Sequence, residues 1–338
     1  MKTLTPALQN LVKILNDGEL HSGHDLSLAL NISRNAVWKH INQLLKYGIE
    51  IESIQSTGYR LKTPLCLLSE SEIRSALQNQ QVKIELLGSV HSTNDFPKVE
   101  GDAPNSLYFR LAEHQSKGRG RFNRMWIAPF GANILLSCRL EIQQDLSRCG
   151  GLSLCVGLAV LKALREFGLE DLSCKWPNDV LYRGQKIAGV LIELQGEANR
   201  GMEAIIGIGC NVNMPPDMLA KIDRPTTSLQ MILGGVQDRN RIAALLIDTL
   251  HEYLQRFEVK GFADFLAEWC ANDALRGHEI NLHVGESNLK GIVSGIDALG
   301  HLLLQLPSGE VKAYSAGEAS LNRQHFLLVR SPNEKLYS

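Results

Sequence analysis

Between His114 and Trp126 the chain reads HQSKGRGRFNRMW, with Gly118, Arg119, Gly120 and Arg121 alternating at its centre and Arg124 close behind. No acid occurs from His114 to Leu140, whereas Lys117, Arg119, Arg121, Arg124 and Arg139 are all basic. Glycine lets a backbone approach a ligand closely, and the guanidinium offers forked donors to phosphate or carboxylate. The stretch is suited to an anion-holding loop that is mobile when empty and closes on its ligand. A basic surface loop that binds nothing and an arginine–glycine nucleic-acid segment are the competing readings. The residues that follow, APFGANILLS, read as a lead into a buried strand and favour the first.

Two further stretches carry chemistry. HSTNDF puts Ser92, Thr93 and Asn94 behind an apolar run, where three short polar side chains can grip a compact polar head. KWPNDVLYRGQKIAGVLIE holds Lys175, Asp179 and Lys186 around a Trp-Pro-Asn turn and a hairpin expected at Arg183–Gly184. Asp179 could hold a metal or hydrogen-bond a ligand, and Lys186 could aim at a carboxylate or phosphate. Taken singly, such lysines are more often solvated, and such an aspartate more often caps its turn. GxxxxGK[ST], HExxH and GxSxG are absent, and GIGCN lacks the third glycine of a dinucleotide fingerprint.

The elements that must position these residues follow from periodicity. From residue 82, the runs VKIELLGSV, SLYFRLAEHQ, NILLSCRL, LSCKWPNDVLY, KIAGVLIELQ and EAIIGIGCNVN read as strands. LSLCVGLAVLKALREFG and NRIAALLIDTLHEYLQRFE read as helices. Ser69 with Glu72 forms a capping box. Residues 277–321 read as five short strands.

Upstream, Leu8, Leu11, Val12 and Leu15 lie on one helical face, and Gly18 follows its end. A second short helix starts near Ser22 or Gly23. A third is capped by Ser33, with Val37, Ile41, Leu44 and Leu45 as its apolar face, and IEIESIQSTGYRLK alternates as a hairpin. This is the order of a winged helix-turn-helix, whose third helix enters the DNA major groove. Its candidate contacts are Ser33, Arg34, Asn35, Trp38, Lys39 and His40, with Arg60 and Lys62 flanking the wing. A winged helix used only for packing or dimerisation is the alternative.

The 338 residues are enough for two or three domains, and the formal net charge of −1 confines any nucleic-acid surface to a local patch. Seven scattered cysteines without a C-x-x-C pair argue against a disulfide framework or zinc knuckle. Neither a signal-like N-terminus nor an apolar run of 18 residues stands in the chain, so a soluble cytoplasmic protein without membrane contact is expected.

Together STN, EHQSKGRGR with its following arginine and tryptophan, FGANILLS, KWPNDV with KIAG, and IGIGCNVN stand in the order and spacing of biotin protein ligases. With the N-terminal segment, the chain from about residue 8 to 325 resembles the bifunctional biotin ligase and biotin operon repressor (BirA) family. The resemblance implies an α+β fold: a winged helix over 1–63, a mixed α/β catalytic domain over 66–275 and an SH3-like barrel over 276–330. It implies that ATP and biotin form biotinyl-5′-adenylate with release of pyrophosphate, and that a lysine of a biotin carboxyl carrier protein domain then takes the biotin. Magnesium is the implied metal, with Asp179 as its ligand. Operator DNA and a homodimer formed on adenylate binding are the further implied partners.

By the same resemblance Ser92, Thr93, Asn94, Gln115, Arg119, Gly120, Arg121, Lys186, Gly189 and Gly207 bind biotin. Arg121, Arg124, Trp126, Asn133, Asp179, Lys186 and Asn211 face the nucleotide, and Lys186 and Arg121 are catalytic. The chain departs from the family at Phe122 and Met125, where a basic residue is common, and at Asn123, where glycine is common. It also lacks a tryptophan in Arg224–Gln230. Competing functions are a ligase whose winged helix does not regulate, a biotin-sensing repressor without catalysis, and a lipoate-attaching enzyme.

Overall fold

The computed structural model describes residues 5–55, 57–96, 107–142, 149–197 and 201–321. Residues 1–4 and 322–330 of the expected terminal domains, Ser56 at the expected hairpin tip and Ser106 at the start of an expected strand lie outside them.

Three capped helices open the chain. In α1 (Pro6–Leu15) the Thr5 hydroxyl accepts from Leu8 N, and Leu8, Leu11, Val12 and Leu15 are buried. Ser22 caps α2 (Gly23–Ala29) and Ser33 caps α3 (Arg34–Lys46), each accepting a backbone N–H three residues on. Val37, Ile41 and Leu44 are buried on α3, but Leu45 is 45% exposed. At 100° per residue the 37–41–44 row faces the core and Leu45 turns out of it, so the expected apolar face is narrower by one residue. Strands β1 (Ile51–Ile54) and β2 (Gly58–Leu61) pair antiparallel, Ile51 opposite Leu61. A Cβ on Gly58 would stand 2.0 Å from His21 O, so only glycine admits the paired bonds between His21 and Tyr59. The small core of this segment also takes in Phe130, with Leu65 and Leu67 packed against it.

Beyond it come α4 (Glu70–Ala76), β3 (Lys83–Val90), β4 (Tyr108–Gln115), a 3-10 turn at Arg121–Asn123, and β5 (Ile134–Ile142). Then follow α5 (Leu152–Glu166), β6 (Leu172–Lys175), β7 (Asp179–Tyr182), β8 (Gln185–Glu197), β9 (Gly201–Cys210), α6 (Pro216–Leu219), α7 (Leu229–Leu233), α8 (Arg239–Lys260) and α9 (Leu266–Asn272). The chain continues through β10 (Glu279–Val284), β11 (Ser287–Ile296), β12 (Leu302–Gln305), β13 (Val311–Tyr314) and β14 (Glu318–Leu321). LSCKWPNDVLY, expected as one strand, is two, because the Trp-Pro-Asn turn with its cis Trp176–Pro177 bond separates β6 from β7. The short helices α6, α7 and α9 carry too few turns for a periodic signal and were not foreseen.

The chain divides into two compact units. The first comprises Met1–Glu141, Leu191–Asp223 and Thr227–Ile247. It holds the strand order β3-β4-β5-β9 and the later part of β8; β3 runs parallel to β4, and β4 antiparallel to β5. The capping box at Ser69 is closed indirectly. The Ser69 hydroxyl accepts from Glu72 N, but Ser69 N donates to Asn240 Oδ1, and Asn240 Nδ2 donates to Glu72.

The second unit comprises Ile142–Val190, Arg224–Thr226 and Asp248–Ser338. It carries β6, β7 and the first part of β8, joined by the expected two-residue turn, with Arg183 at φ 47 and Gly184 at φ 79. Helix α5 is buried along most of its length. The expected five C-terminal strands form one antiparallel sheet, ordered β13-β12-β11-β10-β14. Trp176 is buried and donates through Nε1 to Gly300 O, 3.1 Å, which ties the Trp-Pro-Asn turn to the β11–β12 connection. No described helix is long and apolar enough to cross a membrane.

Candidate active site

In the first unit Ser92, Thr93 and Asn94 follow the end of β3, all buried. Parallel pairing with β4 brings Val90 opposite Gln115, so the Gln115 side chain reaches the turn. Gln115 Oε1 accepts from both Thr93 N (2.6 Å) and Thr93 Oγ1 (2.9 Å). Ser137 on β5 lies 2.6 Å from both Thr93 Oγ1 and Asn94 Oδ1. Its single hydroxyl proton serves one of them at a time. Asn94 Nδ2 donates to Glu193 on β8, 2.7 Å away. Gly207 of β9 is the floor beneath, because a Cβ there would stand 2.3 Å from Asn94 Oδ1. Buried polar groups must be paired, and this chain of bonds holds each side chain in one orientation.

Above that floor the glycine–arginine stretch is a narrow loop pinned at its base. Trp126 N donates to Gly118 O, Gly120 N donates to Arg124 O, and Arg119 bridges Met125. A Cβ on Gly118 would meet Trp126 O at 2.6 Å. At the tip Phe122 and Asn123 both take left-handed backbone, φ 55 and 56. The Arg121 guanidinium lies over the Phe122 ring, 4.9 Å from its centroid. Trp126 packs on Gly209, where a Cβ would meet the indole at 2.4 Å. The Arg119 guanidinium donates to Asp95 (2.9 Å) and Glu193 (3.2 Å). Partial burial works against its charge, but these two carboxylates outweigh that and hold it more firmly protonated.

The second unit holds the remaining charges. Asp179 and Lys186 form a mostly buried ion pair. Asp179 stands opposite Lys175 on β6 and opposite Gly189 on β8. Burial pulls the Lys175 ammonium below the usual lysine range, against the nearby carboxylate of Asp179. Lys186 N donates to Pro225 O at 2.9 Å, so the RPTTSLQ stretch is bonded directly at Lys186.

A model of the biotin/lipoate A/B protein ligase family matches residues 86–213, a helix-turn-helix model matches 7–60, and the biotin protein ligase C-terminal domain matches 277–322. The bifunctional ligase/repressor BirA of Salmonella typhimurium is 36% identical over 321 residues, covering 95% of this chain and 99% of that protein. The chain belongs to the bifunctional ligase/repressor BirA family. The BirA of Bacillus subtilis is 33% identical over 88% of this chain and 93% of its own. Among solved structures, the biotin protein ligase from Aquifex aeolicus in complex with biotin and ATP is 29% identical, with a TM-score of 0.59, over 71% of this chain and 99% of that one.

Within this BirA-family fold the expected residues fall in both units. Ser92, Thr93, Asn94, Gln115, Arg119, Gly120, Arg121, Arg124, Trp126, Gly207 and Asn211 lie in the first unit, and Asp179, Lys186 and Gly189 in the second. Asn133 is fully buried: its amide donates to Ile127 O and accepts from Val212 N, so it braces the strand behind the loop. Asn211 is likewise buried and donates to Thr227 O. On α3, Arg34, Asn35, Trp38 and Lys39 are exposed and His40 is half-exposed, the disposition a groove-reading helix needs. Arg60 pairs with Glu52 at 2.6 Å and Lys62 with Glu50 at 4.0 Å, so the charges beside the wing are partly offset. Sequence reading missed Asp95, Ser137 and Glu193. The available signal for Glu193 was an acid ending the apolar run VLIE.

Proposed function

We propose that the protein is an ATP-dependent biotin ligase that also represses transcription in response to its own intermediate. A biotin carboxylate does not acylate an amine at neutral pH, so it is first joined to the α-phosphate of ATP and pyrophosphate leaves. The ε-amine of a lysine on a biotin carboxyl carrier protein domain then attacks the mixed anhydride, and AMP leaves. The observation that carries this reading is the closed polar chain Gln115–Thr93–Ser137–Asn94–Glu193 beneath an arginine loop. Paired donors and acceptors of that kind suit the compact ureido head of biotin.

Thr93, Asn94 and Gln115, with Ser92, bind that head, and Gly207 and Gly189 give it room against the backbone. Arg121 and Lys186 offset negative charge as it builds at the α-phosphate, where preorganised donors act most strongly. Trp126, Arg124 and Asn211 serve the nucleotide. Asp179 offers a single carboxylate, and no group of three His, Cys, Asp or Glu side chains able to hold a metal stands among the described residues. That donor set fits a magnesium ion for which Asp179 would be the protein ligand. Such an ion supplies charge neutralisation of the phosphates.

The exposed polar face of α3 supports DNA reading, in which two copies on a two-fold axis meet two half-sites. The offset charges of Arg60 and Lys62 favour a second reading, a ligase whose winged helix binds DNA too weakly to regulate. Incubation with ATP, labelled biotin and a carrier domain tests the ligase: a labelled carrier supports it, and an unlabelled one refutes it. A mobility shift on the promoter region of biotin synthesis genes, with and without biotin and ATP, decides between the two readings of the winged helix.

A further inference from the structure

We infer that Glu193 is a positioning residue that tethers the arginine loop to the Ser-Thr-Asn turn, and that the Arg119 side chain serves this tether more than it serves the ligand anion. The inference rests on the biotin-ligase reading above. Glu193 Oε2 accepts two bonds, one from Asn94 Nδ2 at 2.7 Å and one from Arg119 at 3.2 Å. One carboxylate oxygen thus joins the turn after β3 to the loop after β4. Asp95, one residue beyond Asn94, takes the same guanidinium nitrogen at 2.9 Å.

The local charge count decides what Arg119 can do. One guanidinium faces two carboxylates, so the trio carries a net negative charge. An incoming carboxylate or phosphate meets no uncompensated cation there. The same bonds are well suited to hold the loop. They cross from Arg119 to residues 24 and 74 positions away and fix the start of the loop over the polar floor. Glu193 also fixes the orientation of Asn94: its acceptor selects the NH2 end, leaving Oδ1 to Ser137 and packed against Gly207. Removing the charge of Glu193 should therefore loosen Asn94 and the start of the loop at once while leaving the reacting atoms served by other residues.

The test uses the full chain with Glu193→Gln, Arg119→Gln and the double variant. Biotin affinity is read by calorimetry, saturating turnover by pyrophosphate exchange, and loop opening by trypsin cleavage after Lys117, Arg121 and Arg124 without ligand. Charge-assisted bonds of this kind predict biotin binding weakened about tenfold in Glu193→Gln, with saturating turnover within about twofold. Loop cleavage should rise at least about fivefold as the pinned state opens more often. Arg119→Gln should weaken biotin binding similarly, and the double variant should be no worse than the poorer single one, since both remove one coupling. Wild-type biotin affinity and cleavage in Glu193→Gln, or independent multiplying effects in the double variant, would overturn the tether. If Glu193→Gln melts early, Asp95→Asn, on the exposed side of the trio, carries the same expectation at about half the logarithmic effect. If the wild-type chain binds no biotin, the ligase reading fails, and the tether is then judged on trypsin cleavage alone.

Discussion

A methyl group on residue 207 would stand 2.3 Å from Asn94 Oδ1, whereas one on Gly157 in α5 finds only Cys174 Sγ at 3.9 Å. The two glycines therefore predict opposite outcomes. Gly207→Ala should cost about 1–3 kcal/mol of stability by overpacking and weaken biotin binding by displacing Asn94. Gly157→Ala should stabilise the chain by about 0.5–1 kcal/mol, because it removes a flexible residue from a helix interior. Urea unfolding of both, with calorimetry on the first, checks the contrast; equal stabilities would show that the floor yields freely. Lys186→Ala should slow adenylate formation by about 2.7–4 kcal/mol of lost transition-state stabilisation. It also removes the ion-pair partner of Asp179 and leaves it Lys175 nearby, so the companion Lys186→Ala/Asp179→Ala should regain part of the stability without regaining pyrophosphate exchange. Recovery of exchange in either variant would remove Lys186 from catalysis. The loop tip also reads at this scale. Asn123 adopts the left-handed backbone that asparagine tolerates, but Phe122 does so too, with its ring under Arg121.

The last three residues of β4 each bind a different element. Glu113 accepts from Leu68 N and from Arg239 at the start of α8, both 2.6 Å. His114 packs edge-on against Tyr47, at the end of α3, 5.6 Å between centroids, and its Nδ1 lies 2.8 Å from Ser89 Oγ. Gln115 holds Thr93. Arg239 is fully buried and also donates to Asn133 O and Cys66 O, so it ties the segment after the winged helix to the catalytic strands. Arg239→Ala should cost about 3–5 kcal/mol, because it leaves the Glu113 carboxylate uncompensated, and Glu113→Gln in the same chain should return part of that. Urea unfolding that moves by less than 1 kcal/mol, a cost ordinary for exposed ion pairs, would refute a buried strut.

His114 predicts a pH effect. Burial pulls its imidazole below the ordinary value of 6.5, so the unfolded chain binds the proton more readily than the folded one. Its contribution to stability is fully present above pH 6.5 and is lost as the pH falls below it. The thermal midpoint should therefore drop between pH 7.5 and 5.5, and drop less in His114→Gln. Part of the slope remains, because burial lowers His251 as well. An unchanged slope in His114→Gln would locate the effect elsewhere.

For the whole molecule, one winged helix per chain with three cations against one acid over residues 21–47 is a weak reader of DNA alone. Two copies add their contacts, so repression should depend on dimerisation. On the proposed reading the adenylate supplies a phosphate for Arg121 and Arg124 to meet, and biotin does not. Ordering that loop before association removes an entropic cost from the dimer step. Biotinyl-adenylate should therefore strengthen the dimer more than biotin, by about 1–3 kcal/mol as a typical coupling free energy, and by linkage the dimer should retain adenylate more tightly. Sedimentation with no ligand, with biotin, and with a non-hydrolysable adenylate analogue measures this. One monomer–dimer constant in all three would end the corepressor role and leave the ligase standing.

The amino-acid order alone determined the local features. Caps at Ser22, Ser33 and Ser69, the buried stripe of α1, the Arg183–Gly184 turn, the five C-terminal strands and the polar residues after β3 all depend on neighbours within a few positions. The family motifs were legible for the same reason, since each is a short run whose spacing is visible in one dimension. Only the tertiary structure decided what Glu193, Ser137 and Arg239 do. Their partners lie 99, 44 and 126 positions away, and no local pattern distinguishes them from ordinary strand and helix residues. It also decided that the Asn133 side chain is a buried brace, that Leu45 points outward, and that the wing's basic residues are partly offset by glutamates across the hairpin. Each of these depends on which surfaces meet once the sheets form, and that pairing of distant segments is the information that periodicity and spacing do not contain.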